Sequence, residues 1–327
     1  MRTPVTVGVV GGSPRVAALV ETIERLPQAE LRWLCSDRRG LVPRRGVRRT
    51  TRVAELLADD RLDAVLVAAT AGVAHELTAA AIEADKHVYV AGVPAQQSAQ
   101  AEQLVRTARR RDRCLFVADV HSFEPCCAKL AELVQTAELG DVLYAQGERL
   151  VGADADLLWD VAPEDIALVL RVLGDEPVAV AAQGESYLDL SSPDLLDIRL
   201  EFATGIVARL TLSGLDARSG SRYTVVGTRA TAVVDPEASP ALAVHAKDGA
   251  DVPAVVCPRL AAEDPVRKSC EVFLAAVRSV DGAAPHRHAV AVVEVLEQVE
   301  RSLKRAAAHR VAPELRVVPA AAGTQPA

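Results

Sequence analysis

The stretch VTVGVVGGSPRVAALVETIERLPQAELRWLCS, residues 5–36, contains the pattern that decides the fold. It begins with a short β-rich apolar run at residues 5–10, continues with helical spacing of apolar residues, and ends with a second strand pattern at residues 29–36. Ser13 and Pro14 suit the N-cap and the first position of the helix between them. The stretch therefore predicts a strand–helix–strand unit.

Strand and helix patterns continue to alternate at short spacing as far as residue 120. The later strand patterns are LDAVLVAAT, KHVYVAG and RCLFVADV, with helical patterns between them. Such alternation is typical of βαβ units, in which a parallel sheet carries helices on both faces. We therefore expect an α/β Rossmann dinucleotide-binding domain over residues 1–120.

The second half of the chain has a different pattern. Alternating apolar residues predict antiparallel hairpins with turns at 203–205 and 227–228, and helical spacing recurs at about 125–138, 264–280 and 287–308. We expect an α+β domain with an open, mostly antiparallel sheet over residues 121–311. The Pro/Ala-rich residues 312–327 are expected to form a flexible tail.

Composition places the chain among soluble globular proteins. It has 327 residues, 50% hydrophobic and 25% charged, and a net charge of −7 that gives no general reason to bind nucleic acid. No apolar run approaches membrane length and no signal peptide is evident, so we expect a cytoplasmic protein. The six cysteines show no metal-ligand spacing, which predicts buried free thiols. The two imidazoles of the HRH segment at 286–288 have no third ligand in view, so we expect no metal site.

The turn after the first strand is a candidate phosphate site. The G-x-G-x-x-G pattern reads Gly11-Gly12-Ser13-Pro14-Arg15-Val16, so the first glycine is kept and Ser13 and Val16 replace the other two. The helix N-terminus still favours an anion, and Arg15 is long enough to reach one. An ordinary capped helix after a strand is the alternative.

This opening and the stretch LDAVLVAATAGVAHELTAAAIEADKHVYV, residues 62–90, resemble the Gfo/Idh/MocA oxidoreductases (glucose–fructose oxidoreductase, inositol dehydrogenase and relatives). Thr70 and His75 match the family's T-P-x-x-x-H stretch, and residues 86–88 match its G-K-H-V strand. The resemblance extends over about residues 5–308. It implies NAD or NADP as cofactor, a small-molecule ligand, and a homo-oligomer or a partner subunit held through the second sheet.

The resemblance leaves the choice between NAD and NADP open. Aligned without gaps, the family's ribose-binding acid falls on Ser36, with Asp37 one position later. A serine followed by arginines favours the 2′-phosphate of NADP, whereas Asp37 leaves room for NAD. The arginines form either such a pocket or a solvated basic loop; they are Arg38, Arg39, Arg44, Arg45, Arg48, Arg49 and Arg52. The cofactor-binding residues that the resemblance implies are Gly11, Gly12, Ser13, Arg15, Ser36, Asp37, Arg38, Thr70, His75 and Gly92.

The residues that carry hydride-transfer chemistry in this family are replaced. Its E-K-P turn reads Ala91-Gly92-Val93, or Gly92-Val93-Pro94 one position on, and contains no lysine in either register. In its D-x-G-x-H-x-x-D segment the first aspartate is Asp160, the histidine becomes Glu164, and the last aspartate becomes Ala167. The family's arginine near the domain junction falls on Ser122.

Three functional hypotheses follow. The first is a divergent NAD(P)-binding homologue that acts as a non-redox enzyme, a ligand-binding protein or a partner subunit. The second is an active NAD(P)-dependent oxidoreductase on a sugar-, polyol- or keto-type molecule, with Glu164, Asp160 and His121 as candidate catalytic residues. A Glu–Asp pair in a cleft, such as Glu164 with Asp160 or Asp165, is expected to raise one carboxyl pKa and provide an acid/base. The third is a structural subunit that binds no dinucleotide.

Overall fold

The first sheet has six parallel strands. The computed structural model describes residues 3–38, 40–41, 44–188, 192–247, 254–279 and 286–308. The strands are β1 (Val5–Val10), β2 (Ala29–Cys35), β3 (Arg48–Thr50), β4 (Ala64–Val67), β5 (His87–Ala91) and β6 (Leu115–Ala118). Their order is β3-β2-β1-β4-β5-β6. The order reverses between β1 and β4, which is where ligands bind in doubly wound sheets, at the carboxyl ends of the strands.

Helices cover both faces of this sheet. They are α1 (Arg15–Arg25), α2 (Val53–Leu57), α3 (Ala71–Glu83) and α4 (Ser98–Arg110). The central strands β1 and β4 are almost entirely buried, and Val7, Val9 and Leu66 are 0% exposed. Burial on both faces explains why these strands read as continuous apolar runs rather than as alternating patterns. The expected Rossmann fold is confirmed.

The second sheet has eight strands in the order β14-β13-β12-β11-β7-β10-β9-β8. They are β7 (Val142–Leu150), β8 (Pro177–Glu185), β9 (Leu195–Phe202), β10 (Val207–Ser213), β11 (Gly220–Gly227), β12 (Ala230–Val234), β13 (Leu242–Ala246) and β14 (Val255–Val256). Within this second sheet, β7 and β10 are the only described strands that pair in parallel. The expected open, mostly antiparallel sheet is therefore confirmed, and self-association through it stays a prediction.

One face of this sheet packs against α5 (Pro125–Gln135), α6 (Ala162–Leu173) and α8 (His286–Ala308). Buried and less buried residues alternate along β9 and β10, so the other face carries charged side chains such as Arg199 and Arg209. The hairpin turns lie where they were predicted, at 203–205 between β9 and β10 and at 227–228 between β11 and β12.

A late helix, α7 (Pro265–Arg278), packs on the first sheet. Phe273 is 0% exposed, and its ring lies 5.6 Å from Tyr89 and 6.1 Å from Phe116 between centroids. The Tyr89 hydroxyl also forms a 2.9 Å hydrogen bond with Ser269 Oγ. Tyr89 thus belongs to the core of the first sheet, and this core is completed by residues from the end of the chain. The domain boundaries at 120 and 311 stay predictions.

Three local expectations were wrong or incomplete. Helix α1 begins at Arg15 with Pro14 at the N-cap position, so Ser13 lies one residue too early and its side chain does not cap the helix. The backbone N–H of Ser13 donates to Ala68 O at 3.1 Å. The short edge strand β3 lies within the arginine-rich segment, where no strand was expected. Cys257 is exposed, whereas the other five cysteines are buried and all six are free.

Residues 312–327 and Arg39 lie outside the described residues, as does the side chain of His286. No helix within the described ranges is long and apolar enough to cross a lipid bilayer.

We predict that Phe273→Ala lowers the free energy of unfolding by about 3–5 kcal/mol, because it leaves a cavity between α7 and the first sheet. The matched control is Val272→Ala on the same helix, where the side chain is 38% exposed and the expected change is within about 0.5 kcal/mol. Chemical denaturation of the full chain measures both. Equal effects of the two substitutions would contradict the packing role of α7.

Candidate active site

The glycine turn lies at the carboxyl end of β1, next to β4. Gly11 has φ +136°, and a Cβ at this position would lie 1.9 Å from Ala68 O, so only glycine fits. Ser13 occupies the second glycine position of the pattern. Its hydroxyl is buried and has no hydrogen-bond partner within the described residues. A buried hydroxyl without a partner, beside the N-terminus of α1, fits an anionic oxygen such as that of a dinucleotide pyrophosphate.

The end of β2 places Asp37 beside this turn. Asp37 Oδ1 lies 3.4 Å from the position that a Cβ on Gly12 would take. Arg38 donates from Nη1 to Gly12 O at 3.0 Å, and its backbone N–H donates to Ser36 Oγ at 3.3 Å. The residues that reach the turn are therefore Asp37 and Arg38, while Ser36 is engaged with the backbone of Arg38.

Several other arginines of this segment pair with carboxylates of the same sheet region. Arg44 contacts Glu24, Arg52 contacts Glu55, and Arg48 lies 5.3 Å from the centroid of the Trp33 ring and 4.0 Å from Asp59. These contacts favour the interpretation as a solvated basic loop for Arg44, Arg48 and Arg52.

Thr70 and His75 lie at the carboxyl end of β4, around the start of α3. The Thr70 carbonyl accepts N–H bonds from Val73 and Ala74 at 3.0 and 2.9 Å, and His75 is half-buried one turn further on. These positions belong to the same edge of the sheet as Gly11. Whether either side chain contacts a cofactor stays a prediction.

Arg15 crosses the cleft instead of pointing along the glycine turn. Its Nη2 donates to Glu164 Oε1 at 3.1 Å and to Asp160 O at 3.0 Å. Its Nη1 lies 3.5 Å from the position of a Cβ on Gly92, which has φ +116°. A guanidinium therefore lies against the end of β5, the place where the family resemblance expects a lysine.

Two capping aspartates position the acid/base candidates. Asp156 accepts N–H bonds from Leu158 and Trp159 and starts a π-helical turn at 157–161, which continues into α6 and carries Asp160 and Glu164. Asp119 accepts a bond from the Ser122 N–H and fixes the 3₁₀ turn at 120–123 that carries His121.

Glu164 and His121 form a direct pair, with Oε2 3.0 Å from Nε2. Burial alone would raise the pKa of Glu164, but the hydrogen bond and charge of His121, together with Arg15 and Arg149, lower it to about 2. Burial alone would lower the pKa of His121, yet the bond to Glu164 raises it on balance, even though the positive charge of Arg149 opposes this. The proton of the pair therefore resides on the imidazole.

Arg149 connects this pair to the second sheet. It lies on β7, and its Nε donates to Asp165 Oδ2 at 3.0 Å while its Nη2 donates to the Tyr223 hydroxyl at 2.6 Å. Its Nη2 also contacts Nε2 of His121, and Tyr223 bonds Asp165. Arg149 and Tyr223 could not be identified from the sequence, because both occupy ordinary positions in alternating strands.

The expected Glu–Asp pair does not form with Asp165. Asp165 is 0% exposed and faces Arg149 and Tyr223, whereas Glu164 faces Arg15 and His121. The pKa of Glu164 falls, so Glu164 is not the carboxyl whose pKa is raised. The pKa of Asp160 is raised, first by burial, although Arg15 partly opposes this. Among the described residues no cluster of three or more His, Cys, Asp or Glu side chains is placed to hold a metal ion.

A cavity of about 320 Å³ opens beside Glu164, between the ends of β5 and β6 and helices α6, α7 and α8. Gly92, Asp119, Ser122 and Glu164 are among its polar or backbone lining. Burial raises the pKa of the Asp119 carboxyl, while its bond to Ser122 and nearby histidines oppose this. Glu164 thus faces both the cavity and the Arg15–His121 contacts.

The parallel sheet, its glycine turn and the second sheet across the cleft define an NAD(P)-binding oxidoreductase. A family model described as an oxidoreductase family with an NAD-binding Rossmann fold matches residues 5–119, and one described as the GFO/IDH/MocA C-terminal domain matches residues 127–233. The chain therefore belongs to the Gfo/Idh/MocA oxidoreductase family, as the resemblance predicted. This confirms NAD(P) as the cofactor and counts against a subunit that binds no dinucleotide.

Known proteins of similar sequence or fold include two that are named as dehydrogenases and one that was solved in complex with NAD. UDP-N-acetylglucosamine 3-dehydrogenase of Acidithiobacillus ferrooxidans is 25% identical over 265 residues, which are 76% of this chain and 82% of the relative. GenD2 from gentamicin A biosynthesis, solved in complex with NAD, has a TM-score of 0.80 at 24% identity and covers 94% of this chain and 96% of its own. Levoglucosan dehydrogenase, solved with NADH and L-sorbose, has a TM-score of 0.79 at 16% identity, with 93% and 98% coverage. At these identities the structural neighbours show the fold alone.

We predict that Glu164→Gln moves the pKa of His121 from above to below that of an ordinary histidine. Without the carboxylate, burial and the Arg149 charge both favour the neutral imidazole. An NMR titration of the histidine rings measures the shift, with His121→Gln to assign the signal. Glu132→Gln, an exposed carboxylate on α5, is the control that leaves the titration unchanged. An unaltered His121 pKa in Glu164→Gln would contradict the pairing.

Proposed function

We propose that this protein catalyses the NAD(P)-linked interconversion of a hydroxyl and a carbonyl group, with Glu164 and His121 acting together as the acid/base. The observation that supports this most directly is that Glu164 lines the cavity while its Oε2 lies 3.0 Å from His121 Nε2. A carboxylate in contact with a substrate and an imidazole directly behind it provide a short route for one proton.

The cofactor, when bound, supplies the hydride acceptor or donor. In the oxidising direction Glu164 takes the hydroxyl proton of the substrate and His121 Nε2 then holds it. The lowered pKa of Glu164 and the raised pKa of His121 favour this final location. Because the two groups titrate as a pair, the protonation state of the imidazole determines whether the site can take a proton from an alcohol or give one to a carbonyl compound.

Arg149 favours the neutral state of the imidazole, and Glu164 favours the protonated state. The neutral ring accepts an N–H bond from Arg149 at Nε2, and the protonated ring donates from the same atom to Glu164. Arg15 supplies a positive charge at the end of β5, on the other oxygen of Glu164. Its guanidinium lies where the family resemblance expects a lysine. We assign to Arg15 the role of stabilising negative charge in the cleft.

A second candidate is a ligand-binding protein without turnover. It is favoured by one observation: both oxygens of Glu164 already have cationic partners, and its pKa of about 2 makes it a weak base on its own. The two candidates differ in whether a proton leaves a bound alcohol, which turnover measurements decide.

We predict that steady-state assays with NAD(H) and NADP(H) on a panel of alcohols, aldehydes and ketones detect turnover that Glu164→Gln reduces by about 10²–10⁴-fold, the usual contribution of a positioned acid/base. In wild type, oxidation rises with pH through the His121 pKa, because the neutral imidazole is needed, and carbonyl reduction falls over the same range. Glu132→Gln keeps the wild-type rate. Cofactor binding without turnover on the whole panel would favour the second candidate.

We further propose that Asp37 directs the protein toward NAD, because its carboxylate lies beside Gly12, where it accepts ribose hydroxyls and repels a 2′-phosphate. Asp37→Ser is predicted to raise the affinity for NADP⁺ relative to NAD⁺ by about tenfold, since removal of a close like charge is worth about 1.4 kcal/mol or more. Calorimetric titration of both cofactors gives this ratio, in which each cofactor serves as the control for the other. An unchanged ratio would contradict the assignment.

A further inference from the structure

We infer that the cavity beside Glu164 takes a carbonyl or hydroxyl compound with a mainly hydrocarbon body, rather than a polyol or a sugar. The inference rests on the proposed function only for the reacting end of the ligand. Its main support is the composition of the cavity wall and the hydrogen bonds that the polar side chains in this wall already make.

Most of the wall is apolar. Strand ends, the 3₁₀ turn and two helices contribute aliphatic and aromatic side chains, among them Val93, Phe116, Phe123, Val272, Ala289 and Val292. Hydrocarbon gains free energy when it leaves water for such a surface, whereas a hydroxyl loses free energy unless a protein group replaces its water partners.

Apart from Arg171, which is exposed, the polar side chains in the wall have few hydrogen-bonding positions left for a ligand. Ser122 and Asp119 bond each other, and His288 Nε2 contacts Ala167 O at 3.0 Å. Glu164 holds Arg15 and His121. One hydroxyl of a ligand can donate to Glu164, but several adjacent hydroxyl groups would lose their hydrogen bonds on entering this cavity.

The geometry of α6 gives the ligand a direction. Glu164, Ala167 and Arg171 line the cavity at helical spacing, and Arg171 is exposed at its outer end. The distance from the first to the last of these is about 10 Å along the helix at 1.5 Å per residue. The cavity of about 320 Å³ corresponds to roughly ten water volumes of about 30 Å³. The reacting oxygen therefore lies at Glu164 and an apolar chain of about that size extends past Ala167 toward the mouth.

The test measures ketone binding on the full chain saturated with NAD⁺ or NADP⁺, which cannot reduce a ketone, and measures turnover in separate assays with NADH or NADPH. The probes are 2-pentanone, 2-heptanone and 2-nonanone, with L-sorbose as the polyhydroxylated ketone. We expect affinity to rise by about fourfold for each methylene added, the fold-change that corresponds to burial of one methylene, and we expect no detectable binding of L-sorbose. Affinity that does not change with chain length, or preferential binding of L-sorbose, would overturn the inference.

A pair of variants locates the site. Val272→Gln places a polar group in the wall on α7 and is expected to weaken 2-nonanone binding by at least about fivefold, while Val256→Gln, an exposed valine on β14 away from the cavity, leaves it unchanged. Equal effects of the two substitutions would place alkanone binding elsewhere and overturn the inference.

Turnover distinguishes this inference from the proposed function. Chain-length-dependent binding that depends on Val272, without oxidation of NADH or NADPH, supports the cavity assignment and contradicts the proposed reaction. Turnover of L-sorbose without alkanone binding supports the reaction and contradicts the cavity assignment.

Discussion

The ion pairs of Glu164 hold the two sides of the cleft together. Its side chain is only 19% exposed, and a carboxylate removed from water is stable in the charged form only when cations and hydrogen bonds replace the solvent. Arg15 comes from the glycine turn of the first sheet, and His121 comes from the turn that leads into the second half of the chain. The carboxylate therefore requires both parts of the chain to be in place, and removal of either partner would leave buried charge on the other.

This arrangement explains how the cleft keeps a balanced charge although the family's usual residues are replaced. The resemblance expects a lysine after β5 and a histidine on α6, but these positions hold Gly92 and Glu164. The positive charge comes instead from Arg15, whose guanidinium uses the space that a side chain at position 92 would fill. The imidazole comes from His121. A cation and an imidazole are therefore present in the cleft, but they come from Arg15 and His121 and not from the positions that carry the family's sequence motif.

The sequence was sufficient for most of the fold, because the fold depends on local patterns. The apolar run at 5–10 indicates a strand that is buried on both faces, and the alternation along β9 and β10 indicates strands that are buried on one face. The same patterns predict the hairpin turns. The edge strand β3 was missed because its arginines carry no burial pattern. The packing of α7 on the first sheet was missed because it joins residues far apart in the chain, and spacing does not encode such contacts.

The site was predictable only as a set of candidates. His121, Asp160 and Glu164 do come together, but the contact of Arg15 with Glu164 links residues separated by 149 positions, and Arg149 and Tyr223 carried no sequence signal. The pKa of Glu164 is lowered by nearby cations, whose contacts with it could not be predicted from the sequence. A carboxylate beside another acid is expected to have a raised pKa, and the same carboxylate among three cations has a lowered one.

Helix α6 separates proton handling from ligand binding by its periodicity. Successive residues of a helix point about 100° apart, so Glu164 and Asp165 reach different partners, and Ala167 and Arg171 return to the side of Glu164. Asp165 contacts Arg149 of the second sheet, whereas Glu164, Ala167 and Arg171 lie on one side of the helix and form a wall of the cavity. Because one helix carries Glu164 and this wall, the distance between the proposed acid/base and the ligand wall is set by helix geometry. A change of ligand can then arise at the wall without disturbing the pair.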